Sequence, residues 1–212
     1  MPFREYEAKV FVEEEQALSQ KFGELGAELL HLILQDDSYY DLNFRLSKKD
    51  ELLRIRAERT LESQQFIRGE FSWKSGRQGE QYEVREDISS PIFSEKSVVF
   101  LQTILDRLGF RKVAWLSKER ERWKLRDVEF EFDKFIQVQA INRPKIQIGS
   151  YLQATIETEH EFTPPKMEQL LWNSLEELGF NRTQLCWKSY IELYIAQLNE
   201  FSPSSTFSKR DL

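Results

Sequence analysis

Residues 5–12 alternate in character, with Glu5, Glu7 and Lys9 on one parity and Tyr6, Ala8 and Val10 on the other, the period-2 pattern of a strand with two unlike faces. From Glu13 to Leu25 the period becomes helical: Ala17, Leu18, Phe22 and Leu25 share a face, and Gly26 follows as a stop. The same punctuation predicts a helix from about Ser94 to Leu108-Gly109 and another from about Pro164, with Pro165 in its first turn, to Leu178-Gly179. Short alternating segments near 38–45, 51–58, 66–74, 81–88, 111–124, 127–135 and 150–159 read as strands. Polar turns such as Ser75-Gly76-Arg77-Gln78-Gly79 separate them. A last amphipathic helix spans about Trp187 to Leu198. Eight strands and a few helices predict an α+β protein, mainly antiparallel.

The chain of 212 residues is long enough to bury a core without disulfides or structural metal, and a single domain over 1–200 is expected. The Ser/Pro-rich stretch from Phe201 to Leu212 is too poor in apolar residues to pack well and reads as a flexible tail. A net charge of -6 leaves no global basic field to draw the chain onto nucleic acid or an anionic membrane, so any polyanion must be gripped locally. The lone Cys186 excludes an internal disulfide and fits a reducing compartment, with the cytoplasm the expected location. The charged start and the lack of a long apolar window argue against a signal peptide and a membrane span.

Charge falls on one parity of each predicted strand. Arg54, Arg56 and Glu58 alternate with Leu53, Ile55 and Ala57; Lys118, Arg120 and Arg122 share a parity; Glu129, Glu131 and Asp133 alternate with Val128, Phe130 and Phe132. A sheet with one wet face would explain any single strand. Segregation by sign points further, to strands that line a tunnel with opposed acidic and basic walls while their apolar sides pack against outer helices. Buried charge needs a counter-charge, so a ligand must share the cost. Clustered carboxylates suit Mg²⁺ or Mn²⁺ and clustered Arg and Lys suit phosphate, which together describe a site for a metal-complexed polyphosphate.

The ordered motifs Glu5-Tyr6-Glu7-Ala8-Lys9, Gln35-Asp36-Asp37, Leu53-Arg54-Ile55-Arg56, Trp73-Lys74, Arg85-Glu86-Asp87, Lys118-Glu119-Arg120, Phe132-Asp133 and Ser189-Tyr190-Ile191-Glu192-Leu193 cover residues 5 to 194. In this set the chain resembles the CYTH, or triphosphate tunnel metalloenzyme, superfamily, and its class IV adenylyl cyclase-like branch in particular. The resemblance implies an eight-stranded antiparallel β-barrel with flanking helices that binds a triphosphate with Mg²⁺ or Mn²⁺. It makes Glu5, Glu7 and Asp133 metal ligands, and Lys9, Arg54, Arg56, Lys74, Arg85, Lys118 and Arg120 phosphate ligands. Two departures from the family pattern stand out. The third acidic motif ends in Asp87 and Ser89, and the late acidic pair is replaced by Gln153 and Thr155. Glu157 and Glu159 follow at the same parity and are candidates for both metal binding and proton transfer, with Glu131 next.

The activity this implies is conversion of ATP to cyclic AMP and pyrophosphate. The alternatives are hydrolysis of inorganic, thiamine or nucleoside triphosphate, or a catalytically silent polyphosphate-binding module. A plain interaction domain with wet charged faces is a further rival. Substitution of Lys74 or Arg56 by alanine is expected to weaken triphosphate binding with little loss of folding. The partners expected are the small triphosphate and, at most, a second copy of the chain, with no nucleic acid. His31 reads as a strand or core-edge residue, His160 as solvated and Cys186 as small core filling. Trp115 or Trp123 could stack on an adenine if either lies near a tunnel mouth. Asn181-Arg182-Thr183 fits a glycosylation acceptor but would be idle in the cytoplasm.

Overall fold

The structure, a computed structural model, describes the backbone of residues 4–76, 86–158 and 164–201, with side chains over 7–76, 86–156 and 166–200. Among the described residues nine strands and four α-helices run in the order β1 (Arg4–Val12), α1 (Glu15–Glu24), β2 (Glu28–Asp41), β3 (Leu52–Thr60), β4 (Phe66–Lys74), β5 (Asp87–Ile92), α2 (Glu95–Arg107), β6 (Arg111–Leu125), β7 (Val128–Ala140), β8 (Ile146–Gln147), β9 (Ser150–Thr158), α3 (Pro164–Glu177) and α4 (Tyr190–Phe201). The sheet order is β1-β9-β7-β6-β2-β3-β4-β5, with β8 on β7, and the pairs β1–β9, β2–β3, β3–β4, β4–β5, β7–β8 and β7–β9 are antiparallel. The expected α+β antiparallel architecture is present. Closure into the expected eight-stranded barrel is not confirmed: among the described residues β1 and β5 end the order and no ladder joins them, and the two-residue β8 brings the strands to nine. No helix among the described residues is long and apolar enough to cross a membrane.

Two compact units divide the described residues, each with its own core. The first gathers the described residues of 4–32, 120–134 and 149–187. Its core places Val10, Phe22, Phe130, Phe132, Leu152, Met167 and Leu175 together, as α1 and α3 cover the apolar parity of β1, β7 and β9. The second gathers the described residues of 33–119, 135–148 and 188–201. There Val98 and Leu105 of α2 meet Tyr40, Ile55 and Ile92. The alternation read along each strand therefore has its physical cause in these cores: one parity is apolar because a helix packs on it.

The three Leu-Gly stops share one geometry. Gly26, Gly109 and Gly179 adopt φ of +71°, +91° and +94°. The residue after each glycine donates its N–H to the carbonyl five residues back, Ala27 to Phe22, Phe110 to Leu105 and Phe180 to Leu175, at 2.9 to 3.0 Å. Glycine reaches this left-handed conformation without a Cβ penalty, and the apolar contact across the bond seals the last turn. At the start of α2, Ser94 Oγ accepts from the Ser97 N–H at 3.1 Å and caps the helix.

Several boundaries differ from expectation. Strand β2 begins ten residues before the predicted position 38, because Leu29, Leu30, Leu32, Ile33 and Leu34 fill both parities and hide the alternation. Strand β7 continues past the predicted end at 135 to Ala140. The adjacent Phe135 and Ile136 break the sequence pattern, and Phe135 carries a φ of +50° there. Strand β5 tolerates Pro91, which is exposed on the strand that ends the sheet order and has no need of a further N–H donor there. The first part of the strand predicted over 81–88, Arg85, Glu159, His160 and the tail from 202 onward lie outside the described residues.

Candidate functional site

The charged parities of β2, β3, β4 and β5 form a cross-strand ladder in the second unit. Gln35, Asp37 and Tyr39 stand opposite Glu58, Arg56 and Arg54. Arg54, Arg56 and Glu58 stand opposite Ser72, Glu70 and Arg68, and Ser72 and Lys74 opposite Ser89 and Asp87. Arg56 donates from Nε and one Nη to the two oxygens of Asp37, at 2.7 and 2.8 Å. Arg54 donates to Glu70 at 2.7 Å, and its other Nη lies 3.7 Å from Asp37. Lys74 pairs with Asp87 at 2.9 Å, and Arg68 with Glu58 at 2.6 Å. Acids and bases alternate from strand to strand here, in place of the opposed walls expected from the sequence. Opposite charges facing each other across a ladder stabilise it, whereas like charges in register repel.

Asp37 is 1% exposed. Burial alone would push its carboxyl up, but the guanidiniums of Arg56 and Arg54, with the Lys118 ammonium, hold it well below the usual carboxylate range. Burial first, and then the charge of Asp37, push the Tyr39 phenol up to about 12. Lys118 is 3% exposed, and its ammonium sits 4.8 Å from the centre of the Tyr190 ring at the start of α4.

A second constellation belongs to the first unit. Arg120, 2% exposed, forks onto the fully buried Asp133 at 2.6 and 2.7 Å. It also donates to Gln153 Oε1 at 3.0 Å and pairs with Glu131. Gln153 Nε2 in turn donates to Glu7 at 2.5 Å, so this neutral amide bridges an exposed carboxylate and a buried guanidinium. Arg122 lies 3.2 Å from Glu131. Across β1, β9 and β7 the register aligns Lys9 with Gln153 and Glu131, Glu7 with Thr155 and Glu129, and Glu5 with Glu157.

Most of the predicted residues are thereby accounted for. Arg54, Arg56, Lys74 and Lys118 lie in one unit, and Glu7, Lys9, Arg120, Glu131 and Asp133 in the other. Glu5 and Glu157 occupy paired backbone positions. Both oxygens of Asp133, expected as a metal ligand, are engaged by Arg120. Trp123 stacks on Phe22 at 4.9 Å with 7° between the ring planes and donates to Glu121. Trp115 has the opposite strand parity to Lys118 and Arg120, so neither tryptophan joins the charged face. His31 is an exposed strand residue, and Cys186 is half-buried, its N–H donating to the Lys9 carbonyl at 2.7 Å.

Asp37 and Glu70 are what sequence reading missed. Gln35-Asp36-Asp37 stands among the motifs with no site role assigned to it, and only the pairing of β2 with β3 reveals that Asp37 faces Arg56. Among the described residues no group of three or more His, Cys, Asp or Glu gathers as a metal cage. An ion such as Mg²⁺ or Mn²⁺ needs no such cage, since it draws on as few as one or two carboxylates and completes its shell with phosphate and water; Glu5 and Glu157 are paired in backbone register, with Glu7 two residues along β1.

Comparison with known proteins agrees with this picture. The chain is 25% identical over 192 residues to a Methanocaldococcus jannaschii protein named "Putative adenylate cyclase", spanning 89% of this chain and 97% of that one. A solved structure from Pyrococcus horikoshii superposes with a TM-score of 0.70 at 25% identity, covering 92% of this chain and 99% of its own. A Hippeastrum "putative adenylyl cyclase" whose triphosphatase activity is dominant shares the fold with a TM-score of 0.61 at 16% identity, covering 93% and 96%. The CYTH domain model matches residues 4–190, and with every described strand and both charged constellations inside that span, the chain belongs to the CYTH domain family.

Proposed function

We propose that this protein catalyses metal-dependent phosphotransfer on a triphosphate, with ATP converted to cyclic AMP and pyrophosphate. The observation that carries the reading is the burial of charge on the strand faces. Arg120, Lys118, Asp37 and Asp133 are all buried, a cost that a merely wet sheet face has no reason to bear. Membership of the CYTH family and the name of the archaeal relative support the same reading.

In this proposal Lys9, Arg54, Arg56, Lys74, Arg85, Lys118 and Arg120 take phosphate oxygens, within the tunnel that the family resemblance implies. Arginine supplies a planar fork and lysine a point charge. Glu5 and Glu7, with Glu157 in register and Glu159 beyond it, would hold Mg²⁺ or Mn²⁺. When bound, the ion offsets negative charge on phosphate oxygens. Asp133 acts by fixing the plane of the Arg120 guanidinium. Glu131 is committed to Arg120 and Arg122, which leaves Glu157 and Glu159 as the first choices to accept the proton of the attacking hydroxyl.

A second reading, hydrolysis of the terminal phosphate, gains from one observation: the tryptophans best suited to carry a nucleobase are held elsewhere, Trp123 against Phe22. Hydrolysis needs the same grip on the triphosphate but no base platform. ATP, inorganic triphosphate and thiamine triphosphate, each assayed with Mn²⁺ for phosphate, pyrophosphate and cyclic AMP, separate the readings. Cyclic AMP with pyrophosphate supports the first, and phosphate alone the second. Binding without turnover on all three substrates leaves a non-catalytic module. EDTA should abolish turnover and added Mn²⁺ restore it; full activity in chelator removes the metal from the proposal.

A further inference from the structure

We propose that the Ser72 hydroxyl and the Arg54 Nε–H together seat one phosphoryl oxygen of the triphosphate, which makes Ser72 a binding residue of this site. The inference rests on the triphosphate reading above and adds a contact to it. Ser72 lies two residues before the end of β4, 1% exposed, opposite Arg54 on β3 and Ser89 on β5. Its Oγ is shielded from solvent and has no hydrogen-bond partner, and the same holds for Arg54 Nε. The other end of that guanidinium is engaged, with one Nη on Glu70 at 2.7 Å and one 3.7 Å from Asp37.

Buried polar atoms are nearly always paired. Two orphans on directly opposed residues, whose Cβ atoms stand about 5 Å apart in an antiparallel ladder, point to one absent partner. The chemistry of the two atoms selects it. Arg54 Nε can only donate, and the Ser72 hydroxyl, which does not accept from it, is free to donate as well. The atom that satisfies both is therefore an acceptor. Beside a guanidinium, an anionic oxygen gains most from that position. Arg56 and Lys118 add positive charge around the same ladder, as their pull on Asp37 shows. A phosphoryl oxygen matches this combination better than a neutral carbonyl or a water, either of which would forgo the charge.

The test compares Ser72→Thr with Ser72→Val, side chains of one shape that differ by the hydroxyl, with Ser72→Ala as a smaller control should a β-branched side chain disturb packing. Calorimetric titration with inorganic triphosphate in Mn²⁺ should give a dissociation constant about tenfold weaker for Val than for Thr, equivalent to about 1.4 kcal/mol. Ser72→Thr should stay within about threefold of the parent. Without ligand, the Val variant should melt no lower than the Thr variant, because the hydroxyl has nothing to bond in the free protein. Equal affinities for Thr and Val, or a lower melting temperature for Val in the absence of ligand, would overturn the assignment of Ser72 alone. If the parent itself fails to bind triphosphate, the functional reading falls and the Ser72 contact with it.

Discussion

Replacing Asp37 by asparagine removes the charge around which the Arg54 and Arg56 ladder is arranged. The carboxylate is 1% exposed and accepts both arms of Arg56, at 2.7 and 2.8 Å. Without it two guanidiniums remain beneath the surface, and stranding one partner of a buried pair costs about 3 kcal/mol or more. For a chain of this size that corresponds to a melting temperature lower by about 6–12 °C. The pH dependence sharpens the test. The folded-state pKa of Asp37 lies below its ordinary value of 3.8. As the pH falls the unfolded chain therefore takes up this proton first, and stability is lost below that value. One proton of difference amounts to about 1.4 kcal/mol per pH unit. Urea unfolding followed by tryptophan fluorescence at several pH values should show a large gap between parent and variant at pH 7 that narrows below pH about 4. A loss of under about 1 kcal/mol at pH 7, or parallel profiles in acid, would refute the argument.

The same ladder separates two alanine substitutions that sequence alone treats as equivalent. Arg56→Ala strands Asp37 and should cost about 3 kcal/mol of stability, whereas Lys74→Ala, which breaks a half-exposed pair with Asp87, should cost under about 1 kcal/mol and report its effect on triphosphate affinity cleanly. Gln153→Glu places a second carboxylate beside Glu7, so the variant should melt lower without metal and gain more on adding Mn²⁺ than the parent does; an unchanged Mn²⁺ response in thermal melts would contradict it. Gly26→Ala and Gly179→Ala meet no atom within 4 Å but force alanine to φ of +71° and +94°, so each should lose about 1 kcal/mol in chemical denaturation with no change in metal or triphosphate affinity.

The sheet was legible wherever one parity was apolar and the other charged, because a helix packing on one side imposes that alternation. It became illegible where both parities carried the same kind of residue, as in the leucine run of early β2 and at Phe135-Ile136 in β7. The helix stops were legible because one residue type solves one backbone problem three times. For the charged residues the strand face could be read along the chain, but the partner could not. That Arg56 meets Asp37 and Arg120 meets Asp133 follows from the pairing of β2 with β3 and of β6 with β7, which brings together residues 19 and 13 apart in sequence, and the face of a single strand does not name the partner. Gln153 could be seen as a lost carboxylate, while its role as a bridge between Glu7 and Arg120 depends on the meeting of β9 with β1.

The fork of Arg56 on Asp37 also bears on selectivity. An arginine already occupied by an internal carboxylate presents any incoming anion with an incumbent rival that never leaves the vicinity. A singly charged visitor offers little that the resident does not already provide, and it loses that contest. An anion with several charges spread along its length can engage neighbouring bases at the same time and prevail by weight of contacts. In the proposed triphosphate role of Arg56, the ion pair would then act as a threshold on charge, discriminating against a monoanion such as acetate in favour of longer polyanions without any wall to exclude the smaller ones.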